Sequence, residues 1–124
     1  MSFDITKKVI KITRGDSGQF RFTAKDKATG EPYDYSNDLA EFTVKKNTRT
    51  KTVIFKKRII GTVVTIEPAD TKDLPYGTYK YDIQLITPDE DVYTVIDPHD
   101  FIVTDEVNEN TKYTEQEVEG DVGT

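Results

Sequence analysis

Hydrophobic positions along this chain recur at every second residue, not at every third or fourth. The longest such run follows Gly77: Tyr79, Tyr81, Ile83 and Leu85 fall on one side, and Thr78, Lys80, Asp82 and Gln84 on the other. A period of two is that of a strand buried on one face. Phe20, Phe22 and Ala24 alternate in the same way with Gln19, Arg21 and Thr23, and Ala40, Phe42 and Val44 give a third run. Shorter runs predict further strands from Val53 to about Ile60, over Val63 to Ile66, over Val92 to Ile96 and over Phe101 to Thr104. Val9, Ile10 and Ile12 sit among Lys7, Lys8 and Lys11. That mixture predicts an edge strand, because lysines discourage pairing with another chain. Met1 to Asp4 reads as a short leader.

Between the runs lie turn residues. Arg14 to Ser17 and Lys25 to Gly30 close the first strands, Gly30 being a candidate for positive φ. Glu31 to Asp38 is a polar crossing with Pro32 and two tyrosines, Thr87 to Asp91 a hairpin loop, and Asp97 to Asp100 a break or bulge. No segment has a long helical period; Ala69 to Leu74 supports about one turn. The stretch from Glu67 to Gly77 is expected to carry the chain from one sheet to another and to drop Leu74 between them. A tyrosine just after such a crossing can hydrogen-bond back to the turn, as the tyrosine corner does. About seven or eight strands at roughly 8–12-residue spacing then predict an all-β, immunoglobulin-like antiparallel β-sandwich.

Composition narrows the picture. The length of 124 residues suits one domain, and the hydrophobic share of 35% falls below the usual ~45–50%, so the core is modest. The formal charge of −6 resides in residues 105–124, which hold seven acids and one lysine; residues 1–104 are balanced. The expected organisation is a sandwich over residues 1–105 and an acidic tail over residues 106–124, too poor in apolar groups to offset its ordering and so disordered in isolation. The chain contains no cysteine, which excludes disulfides, thiolate metal ligation and a thiol nucleophile. No signal-peptide pattern is read at the N-terminus, and no window approaches the ~20 apolar residues of a membrane-spanning helix.

Few motifs point to chemistry. Arg14-Gly15-Asp16 matches the tripeptide that integrins recognise, but Gly and Asp are also ordinary turn formers, and the turn reading is preferred. Lys45 to Arg58 holds seven basic residues and no acid. A nucleic-acid patch is disfavoured there because no aromatic residues interleave to stack bases. Asp89, Glu90 and Asp91 crowd a hairpin tip without the spacing of a calcium loop. His99, the one histidine, lies between Asp97 and Asp100 with no nucleophile in a catalytic context. No catalytic, cofactor or metal residue is assigned, and an enzyme is not expected.

Several segments together resemble a known family. They run Gly15-Asp16-Ser17, Gly30-Glu31-Pro32-Tyr33-Asp34, Phe42-Thr43-Val44-Lys45-Lys46, Gly61-Thr62-Val63-Val64-Thr65-Ile66, Pro68-Ala69-Asp70-Thr71-Lys72-Asp73-Leu74 and Gly77-Thr78-Tyr79-Lys80-Tyr81-Asp82-Ile83. Over about residues 8–105 the chain resembles the immunoglobulin-like N-terminal domain of baseplate upper proteins of phages that infect Gram-positive bacteria. The most specific part is Asp70-Thr71-x-x-Leu74 followed by Gly77-x-Tyr79-x-Tyr81-Asp82-Ile83. The resemblance implies a phage or prophage structural protein, a tail or baseplate assembly module. It would assemble in the host cytoplasm, reside in the virion, and bind other phage structural proteins or copies of itself. It carries over no catalytic residue. Family members continue into a long receptor-binding region, whereas this sequence ends in the acidic tail, so a tail, neck or head accessory role stays equally open. The alternative reading is a carbohydrate-binding or adhesion module that stacks sugars on Tyr33, Tyr35 or Tyr76.

Overall fold

The computed structural model describes residues 3–6, 8–105 and 117–122. Among the described residues, nine strands and one helical turn follow in chain order: β1 Phe3–Thr6, β2 Val9–Thr13, β3 Gly18–Asp26, β4 Leu39–Lys45, β5 Val53–Arg58, β6 Val63–Ile66, α1 Pro68–Thr71, β7 Gly77–Ile86, β8 Val92–Thr104 and β9 Glu117–Val122. They form a six-stranded sheet in the order β1-β2-β8-β7-β4-β5 and a three-stranded sheet in the order β6-β3-β9. The strip β8-β7-β4-β5 facing β3-β6 has the G-F-C-C′ over B-E order of an immunoglobulin-like sandwich. The all-β sandwich expected from the alternation is present. Two ladders, β2–β8 and β3–β9, are parallel, and both are made by strands near the chain ends.

The alternating residues become the core because the pleat sends every second side chain to one face. Phe20, Phe22 and Ala24 on β3, Ala40, Phe42 and Val44 on β4, and Tyr79, Tyr81, Ile83 and Leu85 on β7 are all buried. Phe42 is the hub: its ring meets Tyr81 at 5.1 Å, Phe20 at 5.7 Å, Phe101 at 6.1 Å and Phe55 at 6.2 Å between centroids. With no tryptophan in the chain, these phenylalanine and tyrosine rings supply the large apolar groups that join the layers.

The crossing from β6 to β7 behaves as its residues suggest. Glu67 and Asp70 cap the single turn α1, Glu67 donating its backbone N–H to Asp70 Oδ2 at 2.8 Å. Leu74 is half-buried against the core, while Thr71 beside it is fully buried. Thr71 Oγ1 accepts the Gly15 N–H at 2.9 Å, tying the β2–β3 turn to the crossing. Tyr79 then donates its hydroxyl to the Pro75 carbonyl at 2.7 Å, the expected corner. The break at Asp97 to Asp100 is also real. The β7–β8 register slips between Tyr81 and Ile83 and again between Ile83 and Gln84. Each slip inserts a residue into β8, which turns both Val95 and Ile96 inward.

Three expectations need correction. Phe3 and Asp4 of the expected leader belong to strand β1, which pairs with β2 from Phe3 to Thr6, so β2 lies inside the sheet and not at its edge; Met1 and Ser2 lie outside the described residues. Tyr35 is no surface residue: its ring packs on Phe22 with centroids 5.1 Å apart, and its hydroxyl donates to the Phe22 carbonyl at 2.6 Å. The third concerns the tail. Residues 117–122 form β9 on the free edge of β3, and Val118 and Val122 are buried in the core. Their alternation with Glu119 and Asp121 gives β9 one apolar face and one charged face, and burial of that apolar face opposes the ordering cost. Residues 106–116, 123 and 124 of the expected disordered tail lie outside the described residues.

Candidate functional site

A groove of about 660 Å³ lies at the β5–β6 corner. Its floor is β3 at Thr23 and Ala24. One wall is the β3–β4 crossing with Tyr33, and the other is the Arg58–Thr62 turn. β6 pairs with β3 only from Gly18 to Arg21, so the crossing continues that side of β3: the Tyr33 N–H bonds the Ala24 carbonyl at 2.9 Å, and Lys25 bridges to Pro32. The gap left between the crossing and the β5–β6 turn is the groove.

Its chemistry is mainly apolar, with a few committed polar groups. Tyr33 donates its hydroxyl to Asp38 Oδ2 at 2.8 Å. This bond, then burial and the Asp38 charge, push the phenol up to about 12. Burial alone pushes Tyr35 up to about 12. Asp34 accepts the Ser36 N–H at 2.9 Å, which holds its carboxyl below the usual range. Arg58 is exposed and takes part in no ion pair among the described residues. In the lining, Ile60 is 78% exposed, although Ile59 next to it is buried. The arrangement suits an apolar knob flanked by a carboxylate.

The other residues singled out in the sequence lie elsewhere and are engaged locally. Arg14 lays its guanidinium 4.2 Å from the centre of the Tyr76 ring, and Tyr76 donates its hydroxyl to Asp105 at 2.9 Å. The Arg-Gly-Asp turn is further held by Asp16 N–H to the Thr13 carbonyl at 3.0 Å and by a φ of +80° at Gly15. Of the three proposed sugar-stacking tyrosines, Tyr33 and Tyr35 both line the groove, but Tyr35 is buried and its hydroxyl is committed to the Phe22 carbonyl, and one face of the Tyr76 ring lies under Arg14. In the basic run, Lys57 pairs with Asp70 at 2.8 Å and Lys56 with Glu41 at 3.7 Å. Asp82 lies near Lys45 and Lys56, and its carboxyl is nonetheless raised because burial outweighs them.

The acidic hairpin tip is an ordinary turn, with Thr87 bonded to Asp91 and Glu90 at a φ of +68°. No group of three metal-ligating side chains occurs among the described residues. His99 turns Nδ1 toward the Asp97 backbone carbonyl, and Asp100 is held by Lys80. In the sequence Arg58 stands only as the end of the Lys45–Arg58 basic run and Ile60 only as the end of a strand. Two consecutive isoleucines before a Gly-Thr turn were the available signal, since only one can face inward from a strand end.

A scan against protein-family models finds no match, and neither curated proteins nor solved structures yield one.

Proposed function

We propose that the chain is a non-enzymatic structural protein of phage or prophage origin, an assembly module of a tail or baseplate that docks to other virion subunits. The observation that carries the docking reading is the β5–β6 corner. Ile60 stands exposed in the lining of an apolar groove beside Arg58, which has no ion-pair partner among the described residues. Exposed apolar side chains around a concavity mark protein contact surfaces more often than scattered ones do. The resemblance over residues 8–105 supports the phage assignment. The fold agrees with it, although a sandwich by itself carries no function.

Particles purified from a culture of the encoding organism test this reading. The chain is expected in them by mass spectrometry and at one fixed place by immunogold labelling. An Ile60→Asp, Arg58→Glu variant is expected to fold normally and to be lost from the particles. A chain absent from purified particles refutes the structural assignment. A variant incorporated as well as the native chain refutes the groove as the contact.

A further inference from the structure

In an immunoglobulin-like sandwich the strand beside B is normally the first strand of the chain. Here both N-terminal strands lie in the other sheet, with β1 on β2 and β2 on β8. The free edge of β3 would be bare, and β9 from the far end of the chain fills it. The pairing is parallel, from Arg21 with Glu117 to Asp26 with Val122, so no tight turn dictates which molecule supplies the strand. Residues 105–116 connect the end of β8 to β9. Twelve residues can extend to roughly 40 Å, well beyond the ~10 Å between two packed sheets. The connection therefore allows either the same chain or a neighbour to be the donor.

The seat is specific. Val118 and Val122 enter the core on either side of Gly120. A Cβ at Gly120 would lie 2.7 Å from the Val95 carbonyl oxygen, 3.0 Å from the Phe22 ring and 3.1 Å from Ile96 Cδ1. The backbone fits only because this position has no side chain. Val95 is at that spot because of the second β8 bulge. On the outer face Lys25 stands 3.7 Å from both Glu119 and Asp121, so charge favours the same register. The pattern Val-x-Gly-x-Val is a self-contained key, and the edge of β3 is its lock.

We infer that β9 is an exchangeable strand and that the edge of β3 is an interface between copies of this chain: residues 117–122 of one molecule seat on β3 of a second, and the reverse. The inference rests on the topology and stands apart from the phage reading. In dilute solution the tethered strand has the higher effective concentration and the chain closes on itself. At the high local concentrations of an assembly, exchange replaces each intramolecular contact with the same contact between molecules, at little free-energy cost.

The chain lacks cysteine, which makes the test clean. Full-length Thr23→Cys and Glu119→Cys variants, one carrying a size tag, are mixed at high concentration under mild oxidant and resolved on a non-reducing gel. Thr23 and Glu119 are register partners. The mixed disulfide is expected several times above the homodimer that either variant forms alone. Adding Gly120→Val to the Glu119→Cys chain should return it to that background. In the double variant Thr23→Cys, Glu119→Cys at low concentration, the bridge should close within one chain. The pair Lys25→Cys with Asp121→Cys, also in register, repeats the experiment if the first pair folds poorly. Mixed disulfide at the homodimer level overturns the inference, as does a mixed disulfide insensitive to Gly120→Val or a double variant that fails to close.

Discussion

Val118→Ala is the substitution that weighs β9 most directly. The side chain is 2% exposed and faces Phe22 across the β3–β9 ladder. Removing two carbons forfeits about 1.6 kcal/mol of transfer free energy at ~0.8 kcal/mol each. A residual cavity of about 40 Å³ adds about 1 kcal/mol at ~24 cal/mol per Å³. The expected loss is thus about 2–3 kcal/mol. For a domain of this size that lowers Tm by roughly 8–15 °C. The control is Glu119→Ala one residue on, whose ion pair with Lys25 is open to water on both sides and should move stability by less than about 0.5 kcal/mol. Urea unfolding followed by circular dichroism and by tyrosine fluorescence measures both. If Val118→Ala falls within about 0.5 kcal/mol of the native chain, like its exposed neighbour, β9 does not belong to the cooperative core and the closed sandwich described here is wrong.

Tyr79→Phe removes the hydroxyl bonded to the Pro75 carbonyl and should cost about 0.5–1.5 kcal/mol in urea unfolding; no loss would mean that the corner bond is replaced by water. Thr71→Val leaves the Gly15 N–H without its acceptor at a fully buried position and should cost about 1–3 kcal/mol, with Thr71→Ser recovering most of it. Tyr33 and Tyr35 are held up to about 12 from an ordinary 10.0, and burial pushes Tyr81 higher still. The folded chain keeps protons that the unfolded chain releases. Their contribution is therefore complete below pH 10 and is lost as pH rises toward about 12. Phenolate absorbance and circular dichroism should show these three tyrosines ionising together with unfolding, and ionisation near pH 10 in a chain that stays folded would contradict it.

Legibility in the sequence followed locality. β3, β4 and β7 were readable because their burial is written as strict alternation of large apolar residues. The corner at Pro75 and Tyr79 was readable because turn chemistry acts over a few residues. β9 was not, because its inward residues are two valines and a glycine, and the value of Gly120 lies in a close approach to Val95 and Phe22 that only the folded chain creates. β1 was missed for a related reason. The turn that returns it to β2 needs Lys8 at a φ of +69°, a conformation that lysine does not advertise. Tyr35 sits in a segment of polar residues, and its burial depends on the end of β6 leaving the Phe22 carbonyl free to accept its hydroxyl. The groove was legible only as the oddity of two adjacent isoleucines before a turn.

Backbone hydrogen exchange on the full-length chain tests most directly whether the C-terminal strand closes the sandwich. The account predicts slow exchange at alternating amides of residues 118–122 and at Lys27, which donates to the Val122 carbonyl at 2.6 Å, at rates comparable to those of β3. Exchange through residues 118–122 at the rate of a free peptide, with β3, β4 and β7 still protected, would contradict it.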